Sequence, residues 1–217
     1  MALVKRTAAP GAAQQQDDAP RAQPRDDVQR GGQEQWVADL ASEDTSMRRR
    51  AAQALARMPD AVAALCAHLA NEQALSVRSI ILTGLIVHKS PAVVRGLLPL
   101  LGSEDANLRN GAIEALQQMP DELAPHVEAM LADPNSDVRI FAVDVLSALP
   151  HPMVPEWLRR VVTLDPHVNV CAAALDALSE AGQPDVIPAL DQLADRFADV
   201  AFIQFAVDAA TRRIRGR

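Results

Sequence analysis

Along most of this chain, apolar and polar positions follow a helical rhythm that restarts every 30 to 32 residues. Within Asp133 to Pro150, Val138, Ala142, Val145, Leu146 and Leu149 are apolar, a spacing that gathers them on one face of a helix. A near copy lies at Asp165 to Gly182, offset by 32 residues. It matches without a gap at Asp133/Asp165, Pro134/Pro166, Val138/Val170, Ala142/Ala174, Asp144/Asp176, Leu146/Leu178 and Ser147/Ser179. Counting outward, Met47-Arg48, Val77-Arg78, Leu108-Arg109, Val138-Arg139, Val170-Cys171 and Phe202-Ile203 occupy one register. The second member of each pair recurs at intervals of 30, 31, 30, 32 and 32. Shorter echoes agree: Ser-Glu-Asp at 42–44 returns at 103–105 and Met-Pro-Asp at 58–60 returns at 119–121, both after 61 residues.

Each unit predicts two helices. The first carries the apolar stripe and ends at a breaker, Pro59, Pro120, Pro150 or Gly182. The second often has proline in its first turn, as at Pro125, Pro155 and Pro188, where the missing N–H would have no partner anyway. Asp133, Ser136 or Asp137 can cap the helix after the Ala-Asp-Pro turn, and Glu43/Asp44 and Glu104/Asp105 sit in equivalent turns. One helical pair is too small to bury its own apolar faces, and stacked pairs bury a continuous core. The expected fold is therefore all-α, an α-solenoid (α-α superhelix) of about five to six helical hairpins over residues 34–217. Residues 1–33, rich in Pro, Gln, Asp and Arg and nearly neutral, are expected to be a disordered tail. They begin with Met-Ala-Leu-Val-Lys-Arg, an apolar patch beside two cations with the look of a docking peptide.

Composition narrows the function. Aromatic content is 3% against 49% hydrophobic, so the core volume comes from Ala, Leu and Val, which suits closely packed helices. The net charge is −7, with about −8 in the body, and phosphate binding needs clustered cations, so no nucleic-acid partner is expected. No apolar run approaches membrane-spanning length and no secretory leader is evident, so no membrane partner and a cytoplasmic location are expected. Cys66 and Cys171 lie in apolar helical patterns and read as reduced, buried thiols. There is no Gly-rich phosphate loop, Cys-x-x-Cys or Gly-x-Ser-x-Gly. His151 and His167 read as solvated turn residues, and no catalytic residue, metal site or cofactor is assigned.

The skeleton Asp-x-x-Val-Arg-x-x-Ala-x-x-x-Leu, with its period near 31, resembles the HEAT repeats of the short type named after phycobilisome lyases, over about Ser42 to Arg213. The resemblance implies an armadillo-type fold. It also implies a structural role for the repeat arginines Arg48, Arg78, Arg109 and Arg139 between neighbouring units, a link that the fifth and sixth units lack at Cys171 and Ile203. It implies a non-catalytic protein-binding adaptor that works through the concave face lined by second helices, and an accessory place in bacterial signalling of the chemotaxis kind. Bilin lyase or isomerase chemistry is the alternative that the family name suggests. Deoxyhypusine hydroxylase resembles this architecture but uses His-Glu dipeptides to hold iron, and none of the five histidines here is followed by Glu. The similar DNA glycosylases need a cationic groove, which an acidic body does not supply. Trp157, Arg159, Arg160, Arg95 and His126 fall on second helices and are the expected partner-binding residues, since Trp and Arg dominate interface hot spots. Trp157 also aligns with apolar Val127, so a packed core position remains open for it.

Overall fold

The computed structural model describes residues 24–181 and 184–216, and every regular element among them is helical. The first helices of the units are α2 (Thr45–Leu55), α4 (Leu75–His88), α6 (Ala106–Gln117), α9 (Ser136–Ser147), α11 (Val168–Ala181) and α13 (Ala201–Arg215). They pack in sequence as one layer, each against the next. The second helices are α3 (Val62–Leu69), α5 (Pro91–Leu97), the broken pair α7 (Pro120–Leu123) and α8 (Val127–Leu131), α10 (Val154–Leu164) and α12 (Ile187–Arg196). In this second layer α3 packs on α5, α5 on α7 and α10 on α12, while α8 and α10 touch sparsely. Helix α1 (Pro24–Asp39) lies against α2. The architecture is an α-solenoid of HEAT-like hairpins.

The periodic positions explain why the layers cohere. The repeat leucines Leu55, Leu85, Leu116, Leu146 and Leu178 are all fully buried, as are Ala112, Ala142 and Ala174. The register positions Val77, Leu108 and Val170 are buried too, but Met47 and Phe202 are exposed. Phe202 stands in α13, which among the described residues has a first-layer neighbour on one side only, as the end of a stack requires. Alanine and glycine let helices approach closely: a Cβ on Gly84 of α4 would collide with the Cβ of Ala56 beyond α2.

Second helices open on proline, which stands in the first turn at Pro91, Pro120, Pro155 and Pro188. In the third unit Pro125 falls inside a 3-10 turn, Ala124–His126, and splits the second helix into α7 and α8. First helices are capped from the preceding turn. Asp44 accepts from Ser46 N at 2.8 Å and Asp105 from Asn107 N at 2.9 Å. The cap of α9 is Asn135, which accepts from Asp137 N at 2.9 Å, rather than Asp133, Ser136 or Asp137. Asp133 instead accepts from Asn135 N at 2.8 Å, one step earlier in the same turn.

The boundary expected at residue 34 differs from the observed one. Helix α1 starts at Pro24, so residues 24–33 are helical rather than tail. The proline suits a first helical position, a signal that composition alone conceals. The remainder of the expected tail, residues 1–23, and the breaker Gly182 lie outside the described residues. No helix among the described residues is long and apolar enough to cross a membrane.

Candidate functional site

The repeat arginines form a ladder along the edge where second helices hand over to first helices. Each donates to the carbonyl six residues before it. Arg48 reaches Ser42 O at 3.0 Å, Arg109 Ser103 O at 2.8 Å and Arg139 Asp133 O at 2.9 Å, and the Nε of Arg78 reaches Glu72 O. These carbonyls belong to chain leaving a second helix, where backbone acceptors lack intrahelical donors. Three of the arginines also grip a carboxylate of the next unit. Arg48 makes a two-pronged pair with Glu72 at 2.8 and 3.0 Å, and Arg139 does the same with Asp165 at 2.7 and 3.0 Å. Arg78 holds Asp105 at 2.7 Å. The carboxylates in turn hold the backbone of the next turn, Glu72 at Ala74 N (2.7 Å) and Asp165 at His167 N (2.8 Å). Each rung therefore ties a turn to the turn that follows.

Arg109 is the exception. Its guanidinium lies 4.3 Å from the Phe141 ring centroid, and no carboxylate among the described residues pairs with it. Its Nε is buried without a partner. The turn residue that would face it is Asn135, which stands where Asp105 faces Arg78.

The fifth and sixth units, expected to lack the link, rebuild it with other side chains. The Cys171 thiol approaches the carbonyl of Asp165, six residues back, at 3.3 Å. Arg196, from the end of α12, reaches back to Val162 O and Thr163 O at 2.7 Å each and also bonds Asp165 O. A guanidinium from the following unit thus replaces the missing one. In the last unit Gln204, beside Ile203, donates to Ala194 O at 2.8 Å and Phe197 O at 3.1 Å. The physical demand is the same throughout, since exposed helix-end carbonyls need donors. A one-register pattern cannot reveal a donor that arrives from elsewhere in the sequence.

Electrostatics follow the ladder. The carboxyl of Glu72 is pulled down to about 2, chiefly by the hydrogen-bonded Arg48 guanidinium, with help from Ala74 N and His68 against the opposing effect of burial. Arg78 lowers Asp105 in the same way. Burial pushes both thiols up, Cys66 and Cys171, and both are free. Among the described residues no group of His, Cys, Asp or Glu could hold a metal ion.

The second-helix layer holds the expected partner-binding residues, but the structure does not bring them together. Trp157 is a correction: at 8% exposure it belongs to the core, with its ring stacked on His151 at 4.8 Å between centroids. Its alignment with Val127, also buried, is the reason. His151 is correspondingly a packing partner that also accepts from Met153 N, rather than a solvated turn residue. Arg159 and Arg160 are at the surface and both are engaged, Arg159 with Glu156 on its own helix and Arg160 with Glu128 of the preceding unit. Arg95 is exposed on α5, and His126 is half-buried in the turn between α7 and α8.

Where α8 and α10 stand apart, a cleft of about 390 Å³ opens. Its walls carry Leu131, Val161 and Leu164, its floor the buried Arg139–Asp165 pair, and its rim Glu128, Arg160 and Asp133. The two Asp-Pro turns, Asp133-Pro134 and Asp165-Pro166, close its sides. Leu164 is 64% exposed at the mouth. With Asp165 neutralising Arg139 and Glu128 facing Arg160, Asp133 leaves the cleft with a surplus negative charge. No residue pattern along the chain announces this cleft. The recurrence of Asp-Pro after an apolar residue does not disclose how far apart two helices stand.

Residues 123–202, from the end of α7 to the first turn of α13, match the family model described as HEAT repeats. No curated protein matches the chain significantly. Among solved structures it is similar to an archaeal HEAT-like repeats protein from Thermococcus onnurineus NA1, at 13% identity and a TM-score of 0.43, over 86% of this chain and 88% of that one. It is similar to human deoxyhypusine hydroxylase at 16% identity and a TM-score of 0.45, over 86% of this chain and 85% of that one. It is also similar to the complex of CpcE and CpcF of phycocyanin lyase from Nostoc sp. PCC7120, at 18% identity and a TM-score of 0.35, over 94% of this chain and 100% of that one.

Proposed function

We propose that this protein is a non-catalytic scaffold that binds another protein through its second-helix layer, the concave one by the sequence reading, with the α8–α10 cleft at the centre. The observation that carries the proposal is the cleft itself: apolar walls, an exposed Leu164 at the mouth and a surplus carboxylate on the rim. A preformed surface of this kind costs a partner little ordering of the scaffold. Its charge suits a basic, amphipathic helical segment, in keeping with the −7 of the whole chain. The buried charged groups support a structural rather than chemical use, because Glu72 and Asp165 are occupied by Arg48 and Arg139. A bacterial signalling assembly of the chemotaxis kind, suggested by the sequence resemblance, is part of the same proposal.

The test is site-specific photo-cross-linking in the native cell, with a photoreactive residue at position 164 and, as control, at Val87, which is 72% exposed on the first-helix layer. A discrete partner captured from 164, missing from 87 and lost in Glu128→Lys, which turns the rim charge positive, is the expected result. Equal capture at both positions, or none at 164, overturns the proposal.

A further inference from the structure

We propose that the outward face of α13 pairs with the same face of a second copy, so that the chain forms a weak two-fold dimer through its first-helix layer. This surface is separate from the α8–α10 cleft, and the inference does not rest on the scaffold reading.

Helix α13 carries two seams. Ile203, Val207, Ala210 and Ile214 are buried where the helix packs on α11 and α12, as stacking requires. Phe202, Phe205, Ala209 and Arg212 form a second line, at steps of three, four and three residues, the spacing of a seam between two helices. The stack leaves this line outside. Phe202 is 50% exposed and Phe205 70%, in a chain whose aromatic content is only 3%. Beside the line, between α11 and α13, runs a groove of about 280 Å³ lined by Ala172, Leu175, Ala206 and Ala209. A projecting phenylalanine and a groove of small side chains therefore share one surface, which is what a self-complementary contact needs.

Charge selects a second copy as the occupant. Acidic groups come first along this surface, Asp199 in the turn before α13 and then Asp208, and the cations Arg212 and Arg215 follow, all four exposed. Arg213 is already paired with Glu180. A uniformly basic segment is opposed at the arginine end, and a uniformly acidic one at Asp199. A second α13 running antiparallel suits both ends. With Phe205 of each copy over Ala209 of the other, Asp199 comes opposite Arg215, and the Phe202 ring opposite the Arg212 guanidinium, a cation–π pairing.

Area sets the strength. Helix α13 is about 22 Å long at 1.5 Å per residue, and the patch is two helices wide at roughly 8–10 Å each. It covers on the order of 400 Å² per copy, about half of a standard interface, so dissociation is expected at tens of micromolar, on the order of a transient contact.

Sedimentation velocity of the purified full chain, from about 5 to about 500 µM, tests the inference. The monomer should give way to a dimer within that range. Phe205→Glu should weaken association at least about tenfold with the thermal unfolding midpoint unchanged, because the side chain lies at the surface. Asp199→Arg with Asp208→Arg, and separately Arg212→Glu with Arg215→Glu, should each leave a monomer. Equal amounts of the two charge variants, mixed, should restore the dimer, which also shows that both are folded. A chain that stays monomeric at every concentration, a dimer that survives Phe205→Glu, or a mixture no more associated than its components overturns the inference. So does a monomeric chain whose position 205, carrying a photo-cross-linker, captures a different protein in cells.

Discussion

Replacing Glu72 with glutamine tests whether the ladder stabilises the stack by charge. The carboxylate is 2% exposed and accepts four hydrogen bonds, from Arg48 Nε at 2.8 Å and Nη2 at 3.0 Å, His68 Nε2 at 2.9 Å and Ala74 N at 2.7 Å. Glutamine keeps the size but brings an NH2 group into a site built from donors. The Glu72 carboxyl is held at about 2 against an ordinary 4.5. At about 1.4 kcal/mol per pKa unit, its ionised form therefore favours the folded chain by roughly 3 kcal/mol at neutral pH. The sign is that of a lowered folded value: the contribution is complete above 4.5 and disappears as pH falls towards 2. At pH 3 roughly 1.5 kcal/mol should remain. Urea unfolding followed by far-UV circular dichroism at pH 7 and pH 3 measures both ends, and the other carboxylates cancel in the difference between Glu72→Gln and the parent. The gap should be about 3 kcal/mol at pH 7 and shrink by about half at pH 3. A gap that is independent of pH, or below about 0.5 kcal/mol at pH 7, would refute the reasoning, because the pair would then be no better than a surface ion pair.

Asn135→Asp should give Arg109 the carboxylate that Asp105 gives Arg78 and raise stability by about 0.5–1 kcal/mol; an unchanged or lower thermal midpoint counts against that geometry. Gly84→Ala should cost about 1–3 kcal/mol, because the new methyl meets Ala56, while Gly102→Ala, whose Cβ would sit 3.7 Å from Val138 Cγ2, should be nearly neutral by the same melt. Trp157→Ala should lower stability by about 3–5 kcal/mol, as a core truncation does; a stable variant that instead loses its partner in a binding assay would restore Trp157 as an anchor.

Different kinds of information were legible at different ranges. The alternation of apolar and polar positions is a local property, and it sufficed to place the repeat leucines in the core and the arginines in one register. The caps Asp44 and Asp105 were readable because a cap acts within three residues. Glu72 escaped notice because its repeat position, six residues before the register residue, carries serine at 42 and 103 and aspartate at 133 and 165, and Arg196 because its targets lie more than thirty residues away, at separations of 31 to 34. Trp157 was ambiguous for a related reason: amphipathic side chains serve cores and interfaces alike, and only the neighbour His151 decides between them.

The sequence by itself determined that this chain is a stack of helical hairpins, because the packing problem recurs every 30 to 32 residues and its solution is written in side-chain type at each turn of a helix. Only the tertiary structure decided which carboxylate each arginine meets, where a foreign donor completes a rung, and that α8 and α10 part to leave a cleft. Periodicity specifies which face of a helix turns inward. The spacing between two inward faces depends on side chains contributed by several units at once, and no single stretch of chain encodes it.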